Sequence, residues 1–228
     1  MKKDLGQAAG IEFDSATKGI MPDEEVTRVH LLRHGDVEAL EERAVRGQLD
    51  LPLSDTGKAQ SKQLVDWFVR QGTAPDRIIS SDLNRCRDLG KALSTHLGTP
   101  LELNPDLREQ HMGRWQGQTW EEITKWDAPR VTAYWDDYVK TSPPDGESLQ
   151  DLTVRVVRWW DEVQSDSRGK TVLVVTHVGV IRTLLCQLMS IPTSNALRFA
   201  PATASHTSIL SSAAGSVLNS FGERPWLS

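Results

Sequence analysis

The sequence predicts an α/β fold, a three-layer α/β/α sandwich around a mainly parallel sheet. Three short and almost continuous apolar runs, at residues 29–32, 77–79 and 171–175, are typical of strands buried on both faces of such a sheet. Each run is followed by a segment with the hydrophobic periodicity of a helix. Strands that alternate with helices favour helical crossovers, with ligands bound beyond the carboxyl ends of the strands.

The individual helices are indicated by a capping residue and by apolar stripes. Ser54 can cap the first helix, because its hydroxyl can accept a hydrogen bond from a free amide of the first turn. A closing hairpin is predicted from residues 207–211 and 216–221. Apolar stripes predict further helices over residues 83–97, 149–163 and 181–188.

Length and composition predict one domain. The chain has 228 residues, of which 38% are hydrophobic and 25% charged, as expected of one α/β domain with a full-sized core. Residues 1–25 are rich in Gly, Ala, Asp and Glu without periodicity, so we expect a flexible N-terminal arm there. We expect a single domain over residues 26–228.

Net charge and cysteine content restrict the partners. A net charge of -5 argues against non-specific binding of nucleic acid or anionic lipid, because both need a broad cationic surface. No stretch approaches the roughly 20 apolar residues of a membrane span, and the N-terminus does not resemble a signal peptide. Cys86 and Cys186 lie within predicted helices and are too few for a disulfide framework. These features predict a cytoplasmic protein.

Two histidines follow predicted strands at the point where each strand ends. Arg33-His34-Gly35 comes directly after the first strand, and His177 comes directly after the strand at 171–175. Both side chains are expected in one crevice, because the carboxyl ends of parallel strands meet at the same edge of a sheet. Gly35 allows a sharp turn, and the helix that starts near Val178 presents free amides to an anion.

A further arginine belongs to the same place. Arg85 lies in the first turn of the helix after the second strand, so that two arginines, two histidines and two helix starts surround one point. Arginine forks pair with phosphate oxygens, and helix amino ends supply more donors. The sequence therefore predicts a site for a phosphate monoester.

These segments together resemble the histidine phosphatases, the phosphoglycerate mutase-like superfamily, from about Val26 to the closing hairpin. The resemblance implies an in-line attack of neutral His34 on phosphorus, a phosphohistidine intermediate, and release of phosphate by water. It also implies Glu109 as proton donor and His177 as a second catalytic residue, with no cofactor and no metal. The segments that carry the resemblance are Leu31-Leu32-Arg33-His34-Gly35, Ser80-Ser81-Asp82-Leu83-Asn84-Arg85, Leu107-Arg108-Glu109, Asp145-Gly146-Glu147-Ser148 and Thr176-His177-Val178-Gly179.

One part of the signature departs from the family. Many members have an asparagine six residues after the histidine that helps to hold the phosphoryl group, where this chain has Leu40. A leucine cannot donate a hydrogen bond, so Arg46 or Gln48 is expected to supply that contact, or activity is lower. The predicted phosphate-binding set is Arg33, Gly35, Arg46, Gln48, Arg85 and Val178.

Two other functions remain open at this point. A cofactor-dependent phosphoglycerate mutase uses the same residues, although the short insertion at residues 113–138 favours hydrolysis. The loss at Leu40 keeps open a weakly active or inactive module that binds phosphorylated ligands. The partner is expected to be a small phosphorylated metabolite, such as a sugar phosphate, a phosphoglycerate derivative or alpha-ribazole phosphate. A homodimer is one expected form, because dimers are frequent in the family.

Histidines outside the signature are interpreted more simply. His30 alternates with strand residues and is expected in the core. His111, close to Glu109, and His206, on the predicted hairpin, are expected either to touch substrate or to lie at the surface.

Overall fold

The computed structural model describes residues 26–38 and 44–227, and these build one six-stranded sheet in the order β3-β2-β4-β1-β5-β6. Strands β1, β4, β2 and β3 pair in parallel, whereas β5 is antiparallel to β1 and β6 to β5. The N-terminal arm and Leu40 lie outside the described residues. The strands are β1 (Thr27–Arg33), β2 (Arg77–Ser80), β3 (Leu101–Leu103), β4 (Thr171–Thr176), β5 (His206–Ser212) and β6 (Gly215–Glu223).

Helices cover both faces of the sheet, which confirms the three-layer α/β/α sandwich. Alternate residues of β1 face opposite layers, since Val29 and Leu31 pack with α4 and α5 whereas Leu32 packs with α1 and α2. Ser54 caps α1 by accepting a hydrogen bond from the amide of Gly57 at 3.0 Å, as predicted. The helices are α1 (Asp55–Arg70), α2 (Asn84–Leu97), α3 (Trp120–Asp136), α4 (Leu149–Asp166) and α5 (Val178–Leu188).

Two elements were not predicted. Strand β3 is only three residues long and lies at the edge of the sheet, where Glu102 and Leu103 are exposed, so it lacks the apolar run of a central strand. Helix α3 is kinked at Asp127, next to Pro129, and packs Ile123 and Tyr134 into a small cluster of its own rather than onto the sheet. Its apolar pattern is correspondingly weak.

The buried histidines of the sheet form a pair. Nδ1 of His30 lies 2.8 Å from Nε2 of His206, and both rings pack against Phe68. His30 is in the core as expected, but the surface position considered for His206 is wrong, because its side chain is buried beneath Trp67 and Phe68. Burial, with a contribution from Arg28, lowers the pKa of His30 to about 4, and burial beside His30 lowers the pKa of His206 to about 3.

We expect this pair to make the fold sensitive to acid. The folded protein keeps both rings neutral, whereas the unfolded chain protonates them near pH 6.5. The unfolded state then binds more protons, so the free energy of unfolding should fall as pH drops from about 6.5 to 4, by on the order of 3 kcal/mol for His30 alone. Urea unfolding at several pH values measures this slope.

The contribution of the pair can be separated from that of other histidines. His206→Gln keeps a hydrogen-bonding side chain but cannot titrate, so its unfolding free energy should depend less on pH than that of the wild type. His96→Gln, at an exposed position of α2, is the matched control for a histidine-to-glutamine change. Identical slopes in His206→Gln and the wild type would contradict the prediction.

Candidate active site

The nucleophile candidate His34 follows β1 directly and is anchored to two neighbouring strand ends. Its amide donates to the carbonyl of Thr176 at the end of β4, and its carbonyl accepts from the amide of Ala204, just before β5. The ring is buried, and its centroid lies 5.1 Å from that of His177. The two histidines therefore share one crevice at the carboxyl end of the parallel strands, as predicted.

The structure leaves one specific nitrogen of His34 free to react. Nδ1 lies 2.7 Å from the carbonyl oxygen of Gly35, and because a carbonyl only accepts, Nδ1 must carry the proton. The lone pair of the neutral ring is then on Nε2. Burial, followed by the charges of Arg85 and Arg33, holds the pKa of His34 well below its ordinary value, so the neutral and nucleophilic form is maintained.

The turn after His34 is held by the first turn of α1. The carboxylate of Asp36 accepts from the Ser54 hydroxyl at 2.7 Å. The backbone amide of Asp36 donates to the Gln60 side chain at 2.9 Å. The close approach of the two segments needs glycine at both Gly35 and Gly57, because a Cβ on Gly35 would lie 2.5 Å from the carbonyl oxygen of Gly57. The conformation that aligns the Nδ1 proton of His34 is thus set by backbone packing.

Arg85 is held in a fixed orientation by three acceptors. Its Nη1 donates to the carbonyl of Leu49 at 2.6 Å, its Nη2 to that of Gly47 at 2.8 Å, and its Nε to Nδ1 of His177 at 3.2 Å. A guanidinium has five N–H donors, so one on each terminal nitrogen remains for a phosphate oxygen. The side chain is buried beside His34 and His177, which places a cation next to the position expected for a phosphoryl group.

His177 is also neutral and has a defined tautomer. Nδ1 accepts from Arg85, so Nε2 carries the proton and points at the Ser81 hydroxyl, 2.9 Å away. Burial, then the charge of Arg85, holds its pKa well below the ordinary value. Cys86 Sγ lies 3.3 Å from the same nitrogen and is completely buried, where burial raises the pKa of its thiol. That thiol is therefore not a rival nucleophile.

Arg33 and Arg46 complete the positive charge around His34. Arg33 donates from Nη1 to the carbonyl of Pro201 at 2.8 Å, and both Arg33 and Arg46 lower the pKa of His34. The Nε groups of both arginines are buried and make no hydrogen bond to the part of the chain that the structure describes. Unpaired buried donors are costly, so their presence here is consistent with a site that is completed by an anion.

Glu109 lies at the amino end of α5. Its Oε1 accepts from the amide of Gln110 at 2.8 Å and from the amide of Gly179 at 3.1 Å. Burial lowers the pKa of Arg33 and of Arg85, and the nearby charge of Glu109 partly opposes that shift. The structure thus brings the predicted acid to the same cluster as His34, His177 and the arginines.

The segment that carries Glu109 has its own support. Gln48 donates from Nε2 to the carbonyl of Glu109 at 2.9 Å, and Arg155 donates to the same carbonyl at 2.9 Å. Arg155 is fixed in turn by a two-pronged ion pair with Glu147, whose Oε1 also accepts from the amide of His111. Gln48 therefore lies at the site as predicted, with its amide bound to the acid segment; its contact with phosphate stays a prediction.

We expect Gly179→Ala to impair catalysis more than stability. A Cβ there would lie 2.2 Å from Oε1 of Glu109, so the carboxylate must move, but it is the mobile end of a side chain and α5 can remain folded. Misplacing a general acid should lower turnover of alkyl phosphates by about 10²-fold. The loss should be smaller for p-nitrophenyl phosphate, whose leaving group needs no proton, and Gln187→Ala on the same helix should behave as wild type. An equal loss for both kinds of ester would contradict the role of Glu109.

The remaining expectations concern the helix start, the signature loop and metal binding. The amide of Val178, the first residue of α5, makes no hydrogen bond within the described residues and is available to an anion. Leu40 falls in the undescribed segment 39–43, so the consequence of its replacing asparagine stays a prediction. Across residues 26–38 and 44–227, no group of three or more His, Cys, Asp or Glu side chains is arranged to hold a metal. No helix there is long and apolar enough to cross a membrane.

Three contributors to the site were missed in the sequence. Ser81 lies in the recognised segment Ser80–Arg85, but its position after a strand does not predict the hydrogen bond between its hydroxyl and His177. Arg155 lies on α4, where the sequence pattern indicated only an apolar stripe, so its contacts with the site were not predicted. Arg182 lies one turn into α5, and its charge adds to the effect of burial in lowering the pKa of Arg33. An arginine five residues after a predicted catalytic histidine was the only available signal.

Comparison with known proteins identifies the class. Residues 29–224 match the family model for the histidine phosphatase superfamily, branch 1. The chain therefore belongs to the histidine phosphatase superfamily, and the resemblance carried by the sequence motifs is confirmed. Curated relatives of this chain are named as phosphatases.

Particular relatives agree with this placement. The glucosyl-3-phosphoglycerate phosphatase of Mycolicibacterium vanbaalenii is 34% identical over 75% of this chain and 77% of its own length. The adenosylcobalamin/alpha-ribazole phosphatase of Salmonella typhimurium is 30% identical over 75% of this chain and 84% of its own. The solved structure of the mycobacterial glucosyl-3-phosphoglycerate phosphatase superposes with a TM-score of 0.77 at 28% identity, covering 86% of this chain and 99% of that one.

Proposed function

We propose that this protein hydrolyses a small phosphate monoester through a phosphohistidine on His34. The observation that carries the proposal is the state of that ring: neutral, protonated on Nδ1 by its bond to the Gly35 carbonyl, and surrounded by Arg33, Arg46 and Arg85. A free Nε2 lone pair beside fixed cations is what an attack on phosphorus requires.

The first step transfers the phosphoryl group to the protein. Nε2 of His34 attacks phosphorus while the bond to the ester oxygen breaks, and Glu109 donates a proton to that oxygen so that it leaves as an alcohol. Arg33 and Arg85 stabilise the charge on the equatorial oxygens, which is usually the largest contribution to catalysis. His177, with Nδ1 held by Arg85, lines the same pocket.

The second step releases phosphate. The carboxylate of Glu109 takes a proton from water, the water oxygen attacks phosphorus, and the bond from phosphorus to Nε2 breaks. The neutral ring and the protonated acid are restored, which completes the cycle. Unaided hydrolysis of phosphate monoesters is so slow that more than about 20 kcal/mol of transition-state stabilisation is needed, and several groups must share it.

The test is phosphate release from a panel of phosphorylated metabolites in chelator. The panel should contain glucosyl-3-phosphoglycerate, alpha-ribazole phosphate and a sugar phosphate, with isomerisation of 3-phosphoglycerate assayed in parallel. We expect phosphate release in chelator, together with a labelled protein that survives alkali and loses its label in acid. Isomerisation without release would favour the mutase. A folded protein that is silent and unlabelled with every substrate would favour a binding module.

The setting and assembly of the protein also belong to this proposal. Cys86 and Cys186 are both free and buried, which is consistent with the reducing cytoplasm. We expect a small phosphorylated metabolite as the partner, and sedimentation would show whether the protein forms the homodimer that its family favours.

A further inference from the structure

Glu109 lies in a part of the chain without regular secondary structure. Residues 108–112 belong to neither a helix nor a strand, so no regular series of backbone hydrogen bonds fixes the position of the acid. Proton transfer needs the donor within about 3 Å of the leaving oxygen. The amide of Gly179 holds the carboxylate of Glu109 at the amino end of α5, but this bond does not hold its main chain. The main chain must therefore be held by other contacts.

One arginine of α4 holds the acid segment, which we define as residues 106–111, at two points. Nη1 of Arg155 donates to the carbonyl of Asp106 at 2.6 Å, and Nη2 donates to the carbonyl of Glu109 at 2.9 Å. The side-chain amide of Gln48 binds the second of these carbonyls. Because both acceptors belong to the main chain, Arg155 fixes the path of the backbone and leaves the carboxylate of Glu109 available for chemistry.

Glu147 orients Arg155 and binds the far end of the acid segment. Its Oε1 accepts from Nη2 of Arg155 at 2.7 Å, and its Oε2 accepts from Nε at 3.0 Å. The same Oε1 accepts from the amide of His111 at 2.7 Å, and the amide of Glu147 donates to the carbonyl of His111 at 2.9 Å. The ion pair therefore holds the acid segment at Asp106 and at His111, with Glu109 between them.

The burial of this ion pair points to a geometric role. The side chains of Arg155 and Glu147 are 16% and 17% exposed, whereas Arg158, which pairs with Asp106, is 63% exposed. The cost of removing two charges from water can cancel their attraction, so a buried pair is weak evidence for stability. In some proteins such pairs instead fix one geometry. Here the geometry that is fixed is that of the acid segment.

The two anchors of Glu109 lie on helices that pack against each other. Arg155, on α4, binds its carbonyl, and Gly179, on α5, binds its carboxylate. Leu152 of α4 and Ile181 of α5 belong to the same buried cluster. Because close-packed interiors yield little, the two anchors keep a constant separation. Both the main chain and the carboxylate of the acid are thus held in relation to one rigid pair of helices.

We propose that Arg155, oriented by Glu147, is a positioning residue for proton transfer by Glu109. The inference rests on the proposed phosphatase function and adds two residues that act through the acid without touching the substrate. Without Arg155 the acid segment moves away from the leaving oxygen, while the nucleophile His34 and the phosphate-binding Arg85 stay in place. Each ester should then lose rate in proportion to its need for a proton on the leaving group.

A matched pair of esters tests this role. Phenyl phosphate and p-nitrophenyl phosphate are similar in shape, but phenolate is the poorer leaving group and gains more from protonation. Arg155→Lys keeps the charge, which adds to the effect of burial in lowering the pKa of His177, but one ammonium group cannot replace the fork. We expect kcat/KM to fall about 10- to 100-fold for phenyl phosphate and less than about threefold for p-nitrophenyl phosphate. Glu147→Gln, which weakens the ion pair and keeps the side-chain shape, should show the same selective loss.

A double substitution shows whether the effect passes through Glu109. Glu109→Gln removes the acid, so the position of its segment should no longer matter for proton transfer. Adding Arg155→Lys to Glu109→Gln should lower kcat/KM for phenyl phosphate by less than about threefold further. The matched control is Arg158→Lys, which alters an exposed arginine bonded to the carboxylate of Asp106 and should stay within about twofold of wild type.

The outcomes separate failure of this inference from failure of the proposed function, with urea unfolding to establish that each variant is folded. Equal losses for the two esters in Arg155→Lys, an undiminished loss in the Glu109→Gln background, or near-normal kinetics in Arg155→Lys and Glu147→Gln would overturn the positioning role and leave the phosphatase standing. Full activity of Glu109→Gln on phenyl phosphate would remove the acid and this inference with it. A folded wild type that hydrolyses neither ester and acquires no label would overturn the proposed function itself.

Discussion

Replacing His34 by alanine is expected to lower turnover by at least about 10⁴-fold, because removing a nucleophile from an enzyme typically costs 10⁴ to 10⁶. The structure gives the reason: Nε2 of His34 is the nitrogen left unprotonated by the Gly35 bond, while both nitrogens of His177 are occupied by Arg85 and Ser81. Single-turnover experiments with labelled substrate should find no label on the variant protein.

The matched control is another histidine-to-alanine change. His96 is exposed on α2, so His96→Ala should retain wild-type turnover and labelling. Circular dichroism would establish that His34→Ala is folded. Turnover within about tenfold of wild type in a folded His34→Ala protein would contradict the phosphohistidine route, because such a small loss is far below the typical cost of a lost nucleophile.

Replacing Arg85 by glutamine is expected to lower kcat by about 10³-fold, because an arginine that stabilises a phosphoryl transition state is worth 10³ to 10⁵. The change would remove a cation and also leave Nδ1 of His177 without its donor in a buried pocket. Steady-state kinetics should show the loss mainly in kcat, since the charge on the equatorial oxygens grows in the transition state.

A lysine at this position distinguishes charge from geometry. Arg85→Lys keeps the charge, but one ammonium group cannot reach Gly47, Leu49 and His177 together, so we expect most of the loss to remain. Arg70→Gln, at an exposed position in the last turn of α1, is the control and should be silent. Near-normal kcat in a folded Arg85→Gln protein would remove Arg85 from the mechanism.

The sequence was most informative where local pattern and tertiary position agree. The runs at residues 29–32, 77–79 and 171–175 are strands because they are buried on both faces, and such burial leaves an almost uninterrupted apolar signal. Residues placed directly at the ends of those strands, above all His34 and His177, could then be assigned to one crevice before any coordinates were known. Arg85 was assigned to the same crevice because it lies at the start of the helix that follows the second strand.

The features that could not be predicted from the sequence depend on contacts between distant parts of the chain. The bonds of Arg155 to Glu147 and to the Glu109 carbonyl join helix α4 to two loop segments, and no local pattern encodes them. His206 reads as one polar residue on a hairpin until β5 is placed beside β1, where it meets His30. Pairing between β5 and β1, separated by most of the chain, is a product of the whole fold.

The way in which Arg85 is oriented has a consequence for how this protein can change over evolution. Two of its three acceptors are main-chain carbonyls, those of Gly47 and Leu49, which every amino acid possesses. A substitution at Leu49 that keeps the backbone path can therefore leave the arginine undisturbed. An insertion, a deletion or a bulkier residue at Gly47, whose φ is +49°, cannot be accommodated in the same way. For the anchoring of Arg85, selection should act on the path of this backbone rather than on the side chain at residue 49.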